Sequence, residues 1–92
     1  MNEAAFQKFQ TWLQNQGVGP DDAAYLANLW GEIAQVLRAP VGMGAQAEGD
    51  DIFIYLHVPN KQDGIRISLA DVEAMDDPAG ELAEMVRTRL MG

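Results

Sequence analysis

The sequence predicts an α+β fold in which an N-terminal helical hairpin and a C-terminal helix pack on one face of a small two- or three-stranded antiparallel sheet. Three observations predict it. Apolar residues recur at helical spacing from Asn2 to Gln16 and again after Pro20; side chains alternate with a period of two from Asp50 to Leu69; helical spacing returns after Asp77-Pro78. Ninety-two residues suit one domain with one core, because a chain of this size removes only roughly 60–65% of its unfolded surface from water.

The first helix is expected over Asn2 to Gln16, with Ala5, Phe6, Phe9, Trp12, Leu13 and Gln16 on one face. Asn2 is its candidate N-cap, and Gly17 is suited to leave it in a left-handed conformation. The second begins at Gly19-Pro20-Asp21-Asp22. Proline at the first helical position lacks an N–H that would go unused, and two carboxylates in the first turn complement the helix dipole. Leu26, Leu29, Trp30, Ile33, Val36 and Leu37 form its apolar stripe; Arg38 falls in its last turn and Pro40 stops it.

Val41 to Gly49 is rich in small residues and carries Gly42, Gly44 and Ala47 in the order of a dinucleotide-binding turn. That turn must follow a strand and open a helix so that a pyrophosphate meets a helix N-terminus; this one follows a helix and runs into Glu48-Gly49-Asp50-Asp51. The segment reads instead as an edge strand with Val41, Met43 and Ala45 on one side, and Glu48 to Asp51 turn the chain.

From Asp50 to Leu69 a β-hairpin is expected. Pairing Val58 with Ile65, Leu56 with Ile67 and Ile54 with Leu69 gathers the aliphatic side chains on one face and leaves Phe53, Tyr55, His57, Arg66 and Ser68 on the other. Proline ends the first strand, and Asp63-Gly64 re-enters the second. Ser68 then caps a short helix from Leu69 to Met75. Asp77-Pro78 opens the last helix, with Ala79, Leu82, Ala83, Val86 and Leu90 facing inward and Glu84 placed to pair with Arg87.

Composition excludes several functional classes. No Cys is present, so there is no disulfide framework, thiolate nucleophile or cysteine zinc site, and a reducing compartment is expected. The segment MNEAAFQKFQTW has neither a basic n-region nor an apolar h-region, and no later stretch has the length of a membrane span; a soluble cytoplasmic protein with no membrane partner is expected. Fourteen acidic residues against six basic ones give a net charge of −8. Residues 1–40 carry four acids against Lys8 and Arg38, a balance of −2; residues 41–92 carry ten against Lys61, Arg66, Arg87 and Arg89, a balance of −6. A field of this sign repels nucleic-acid phosphates and favours a basic protein surface. The two N-terminal helices are therefore not read as a helix-turn-helix DNA reader: the second opens with Asp21-Asp22 and has Arg38 as its only cation.

Catalytic chemistry has little to build on. Ser68 and His57 share a sheet face, but no orienting acid or nucleophile elbow accompanies them, and no catalytic residue is assigned. Asp50-Asp51 and Asp76-Asp77 lack the alternating oxygen ligands of an EF-hand loop, and His57 alone is no transition-metal site, so neither metal nor cofactor is expected.

Two candidate binding features follow. Phe53, Tyr55 and His57 beside Arg66 form an aromatic strip suited to anchoring a partner. Antiparallel strands bring Glu48, Asp50 and Asp51 to the end of the sheet where Asp71, Glu73, Asp76 and Asp77 follow the last strand, gathering carboxylates that would steer a basic surface. The expected function is non-enzymatic protein binding, as an inhibitor or adaptor that docks on a basic protein surface, nucleic-acid-binding proteins being one class that carries such a surface. The alternative is a homodimer or other homo-oligomer, or a subunit of a larger assembly, joined through the aromatic face or an edge strand. In size, acidity and lack of catalytic motifs the chain resembles the small accessory proteins of phages and mobile elements, including anti-CRISPR inhibitors and DNA mimics. The likeness is one of composition, and the carboxylates are sparser than in strong DNA mimics.

Overall fold

A computed structural model describes residues 3–91. The order of elements is α1 (Glu3–Asn15), α2 (Pro20–Leu37), β1 (Gly42–Glu48), β2 (Asp51–His57), β3 (Ile65–Ser68), α3 (Leu69–Glu73) and α4 (Pro78–Val86), and a π-helical turn over Arg87–Met91 follows α4. The sheet is antiparallel in the order β1-β2-β3, giving the predicted α+β architecture with its third strand. The candidate cap Asn2 lies outside the described residues.

Local chemistry sets most boundaries. Gly17 leaves α1 at φ 94°, in the left-handed region where a Cβ is costly. Pro20 occupies the first turn of α2 as expected. Its other end differs: Arg38, expected inside the last turn, is the C-cap itself, at φ 55°, with its N–H donating to the Ala34 carbonyl. Glu48 and Asp51 flank a two-residue turn in which Gly49 alone takes a positive φ of 63°, as a type II′ hairpin requires at its first position.

The β2–β3 register corrects the expected one by two residues. Ile54 pairs with Ile67, Leu56 with Ile65 and Tyr55 with Arg66. Leu69 is unavailable to the sheet because Ser68 ends β3 as the N-cap of α3, its Oγ accepting the Asp71 N–H at 3.1 Å. At the other end Val58 is left in the loop. The reversal falls at Pro59-Asn60 rather than Asp63-Gly64: the Lys61 N–H donates to the Val58 carbonyl and Asn60 takes φ 67°, the positions a type II turn gives proline and asparagine. A slip of two preserves parity, so each side chain keeps its face.

The core lies between the helices and the aliphatic side of the sheet. Ile54 and Leu56 are fully buried there with Leu13, Leu26, Ile33, Leu82, Val72 and Val86. α2 packs on both α1 and α4, and α1 reaches the β1 edge, where Trp12 lies close beside Gly44. Trp30 fastens α2 to the entry of β1, its Nε1–H donating to the Val41 carbonyl at 2.7 Å, and its ring meets Phe9 at 4.7 Å between centroids. Two expected core positions are exposed: Val36 at 46% and Trp12 at 43%. Val36 faces away from both partners of α2, while Trp12 lies at the sheet edge, where among the described residues no further strand covers it. The short helix α3 ends at Glu73, two residues before the expected Met75. The π-helical turn keeps Leu90 buried beyond the end of α4.

Among the described residues no helix is long and apolar enough to cross a membrane.

Candidate functional site

The second face of the sheet is built by strand parity and crossed by one side chain. Arg66 rises from β3 and lies across β2 towards β1. Its guanidinium carbon sits 3.7 Å from the Phe53 ring centroid, its Nε–H donates to the Tyr55 hydroxyl at 3.2 Å, and an Nη donates to the Glu48 carboxylate at 2.7 Å. One cation thus bridges all three strands. These hydrogen bonds, Tyr55 first and Glu48 second, raise the guanidinium pKa further above its already high ordinary value. Phe53 and Tyr55 are half-buried, and the side chains of Arg66 and Glu48 are 51% and 43% exposed, so no helix seals this face. The strip is therefore open to solvent but roofed by its own arginine. Glu48, expected among the carboxylates of the hairpin end, belongs instead to this array, because Arg66 holds it.

His57 stands apart from it. It pairs with Gly42 of β1 instead of facing Arg66, and its ring occupies the space that a Cβ on Gly42 would fill. Ser68 pairs with Phe53, four residues from His57 along β2, a separation of roughly 13 Å at about 3.3 Å per residue. With its hydroxyl engaged in capping α3, Ser68 forms no pair with His57.

The acidic end is only partly as expected. Asp50, Asp51 and Glu73 converge, and Asp22 from the first turn of α2 joins them around a cavity of about 200 Å³ bordered also by Ile52 and Ser68. Among the described residues, none of these four carboxylates has a cation within ion-pair distance. Asp77 is not in this group. It caps α4, accepting the Gly80 N–H at 3.3 Å while its own N–H donates to Glu81 at 3.1 Å, a reciprocal arrangement like a capping box. Asp77 instead borders a neighbouring cavity with Tyr25 and Glu32. Asp71 and Asp76 are exposed and line neither cavity.

Tyr25 lines the cavity of Asp77 and Glu32. Burial raises its hydroxyl pKa above the usual tyrosine value, and the nearby Glu73 and Glu32 carboxylates raise it further by repelling the phenolate. Tyr25 thus feels a carboxylate from the border of each cavity. Asp22, Glu32 and Tyr25 were missed as site residues because their pattern in the sequence is fully explained by helix α2: two acids suit its first turn, and the others are spaced along it. Among the described residues, no group of three or more Asp, Glu or His side chains is arranged to hold a metal ion.

Compared with known protein families, with curated proteins and with solved structures, the chain matches none.

Proposed function

We propose that this chain is a small acidic, non-enzymatic protein-binding module, an inhibitor or adaptor that docks on a basic surface of the kind nucleic-acid-binding proteins carry. The observation that carries this reading is the meeting of Asp22, Asp50, Asp51 and Glu73, from three separate segments, around one cavity without a counter-cation among the described residues. Carboxylates without counter-cations at one end give a field that accelerates encounter with a basic partner more than it strengthens the final complex.

The sheet face supplies a second contact. Asp51 shares its parity with Phe53 and Tyr55, so the acidic end continues into the face roofed by Arg66. A guanidinium already held over an aromatic ring loses little rotamer freedom on binding, which suits it to an anchoring role.

The test uses the chain as bait in extracts of its host at low and high salt, beside a variant carrying Asp22→Asn, Asp50→Asn, Asp51→Asn and Glu73→Gln. A basic protein retained by the wild type, released by salt and lost on the variant supports the reading. The association rate of that protein with the two baits should then differ at low salt and converge near 1 M, where the Debye length is about 3 Å. Equal retention by both baits would remove the acidic end from the interface.

A further inference from the structure

The end opposite the carboxylates has the reverse character. Asp22 lies in the first turn of α2, whose eighteen residues span roughly 27 Å at 1.5 Å per residue before the chain emerges at Pro40. Asp51 likewise starts β2, and Val58 lies just past its far end. There Pro40, Val58, Pro59, Leu90 and Met91 wall a cavity of about 370 Å³, contributed by the exit from α2, the β2–β3 loop and the π-helical turn, and Lys61 stands on its border. Arg38 and Arg89 are exposed within two residues of its walls, and among the described residues neither they nor Lys61 form an ion pair; Asp63 is the acid on the same loop. A chain of net charge −8 thus sets one cation, Lys61, on the border of this apolar hollow, with Arg38 and Arg89 next to its walls in sequence.

The acidic end presents the opposite charge. Ile52, only partly buried, lies among Asp50, Asp51, Asp22 and Glu73, and the Gly49-Asp50 turn projects beside it. We infer that the two ends are the complementary halves of a head-to-tail contact: the β1–β2 turn and Ile52 of one copy enter the apolar cavity of a second, with Asp50 and Asp51 against Lys61. The surfaces differ, so the contact is heterologous and each copy retains one free end after pairing. A turn in a cavity of this size buries less than the roughly 1,200 Å² of a stable complex, which makes the association weak and reversible. It also hides the acidic end. Self-association therefore competes with any basic partner, although it requires none, so the contact stands independently of the docking reading.

Salt dependence distinguishes this contact from simple apolar clustering. At about 0.01 M salt the Debye length of roughly 30 Å spans the whole molecule, whose extents are 33 × 28 × 27 Å, and the net charges of two copies repel. Near 0.1 M it is about 10 Å, so only the facing ends interact, and near 1 M it is about 3 Å, which screens them too. Association should peak at intermediate salt.

Sedimentation velocity from about 10 μM to 1 mM, the range of weak contacts, tests the inference with two variants: Lys61→Glu, and Asp50→Lys with Asp51→Lys. All three positions are exposed, and thermal melts confirm that each variant folds. The wild type should grow with concentration and each variant alone should remain monomeric. Their equimolar mixture should regain growth with concentration, because the acidic end of one variant meets the basic cavity of the other and the two reversed ends are complementary as well. A wild type that stays monomeric at every salt concentration, variants that still associate, or a mixture that does not pair would overturn it. So would decanoate occupying the cavity in a Lys61-dependent way while sedimentation never changes, since that assigns the hollow to a small apolar anion.

Discussion

Trp30→Phe isolates the bond that seats the first strand. The indole Nε1–H donates to the Val41 carbonyl at 2.7 Å, and Val41 is buried. Phenylalanine retains a ring against Phe9, where the two centroids lie 4.7 Å apart, but supplies no donor, so the carbonyl is left with a poorer partner or none. An unsatisfied, largely desolvated acceptor costs about 1–3 kcal/mol, and the smaller ring gives up contact area worth up to about 1 kcal/mol. A loss of about 2 kcal/mol is expected, which in a domain of this size lowers Tm by about 10 °C. Urea and thermal unfolding followed by far-UV circular dichroism would measure it without relying on tryptophan emission. Trp12→Phe is the control: Trp12 is 43% exposed and its indole N–H donates no hydrogen bond among the described residues, so a change within about 0.5 kcal/mol is expected. If Trp30→Phe is equally mild, the bond does not hold β1, and the placing of Glu48 and the Gly49-Asp50 turn needs another cause.

Tyr25 should titrate above the ordinary tyrosine value near 10 when followed by absorbance in a Tyr55→Phe background, and Glu73→Gln should lower that value; no response to Glu73→Gln would remove the repulsion argument. Because the folded pKa is raised, the neutral hydroxyl contributes stability that is complete below the unfolded pKa and lost as pH climbs through the folded one, so stability should fall on the alkaline side of pH 10. Asp77→Ala removes the cap of α4 and the partner of Glu81 and should destabilise by about 1–2 kcal/mol in chemical unfolding, whereas Asp76→Ala, without such a contact, should be near neutral. Arg66→Ala should uncover Phe53 and raise binding of a hydrophobic dye while the protein remains folded; unchanged dye binding would mean that the arginine does not shield the ring.

Local rules were enough to read the elements. Pro20 and Asp77-Pro78 start helices whatever surrounds them, because a missing N–H and a capping carboxylate act within one turn. Parity was equally legible: Ile54 and Leu56 face the core and Phe53 and Tyr55 the other side in any register that keeps the aliphatic face together. Register itself was not, because slips of two conserve that face, and the choice fell to neighbours: Ser68 left the sheet to cap α3, and the turn closed at Pro59-Asn60. The same limit applies to the candidate site. That Asp50 and Asp51 lie at one tip follows from a hairpin, but Asp22 and Glu73 reach them only because α2 and α3 dock where they do, and Asp77 turns instead to its own helix. Nor does any pattern along the chain announce that Arg66 spans three strands or that Lys61 borders a hollow formed by three distant segments. Capping and alternation depend on residues a few positions apart, which the covalent chain already holds together. Charge clusters and cavities depend on residues that only packing brings together, through contacts whose partners are unrelated in sequence.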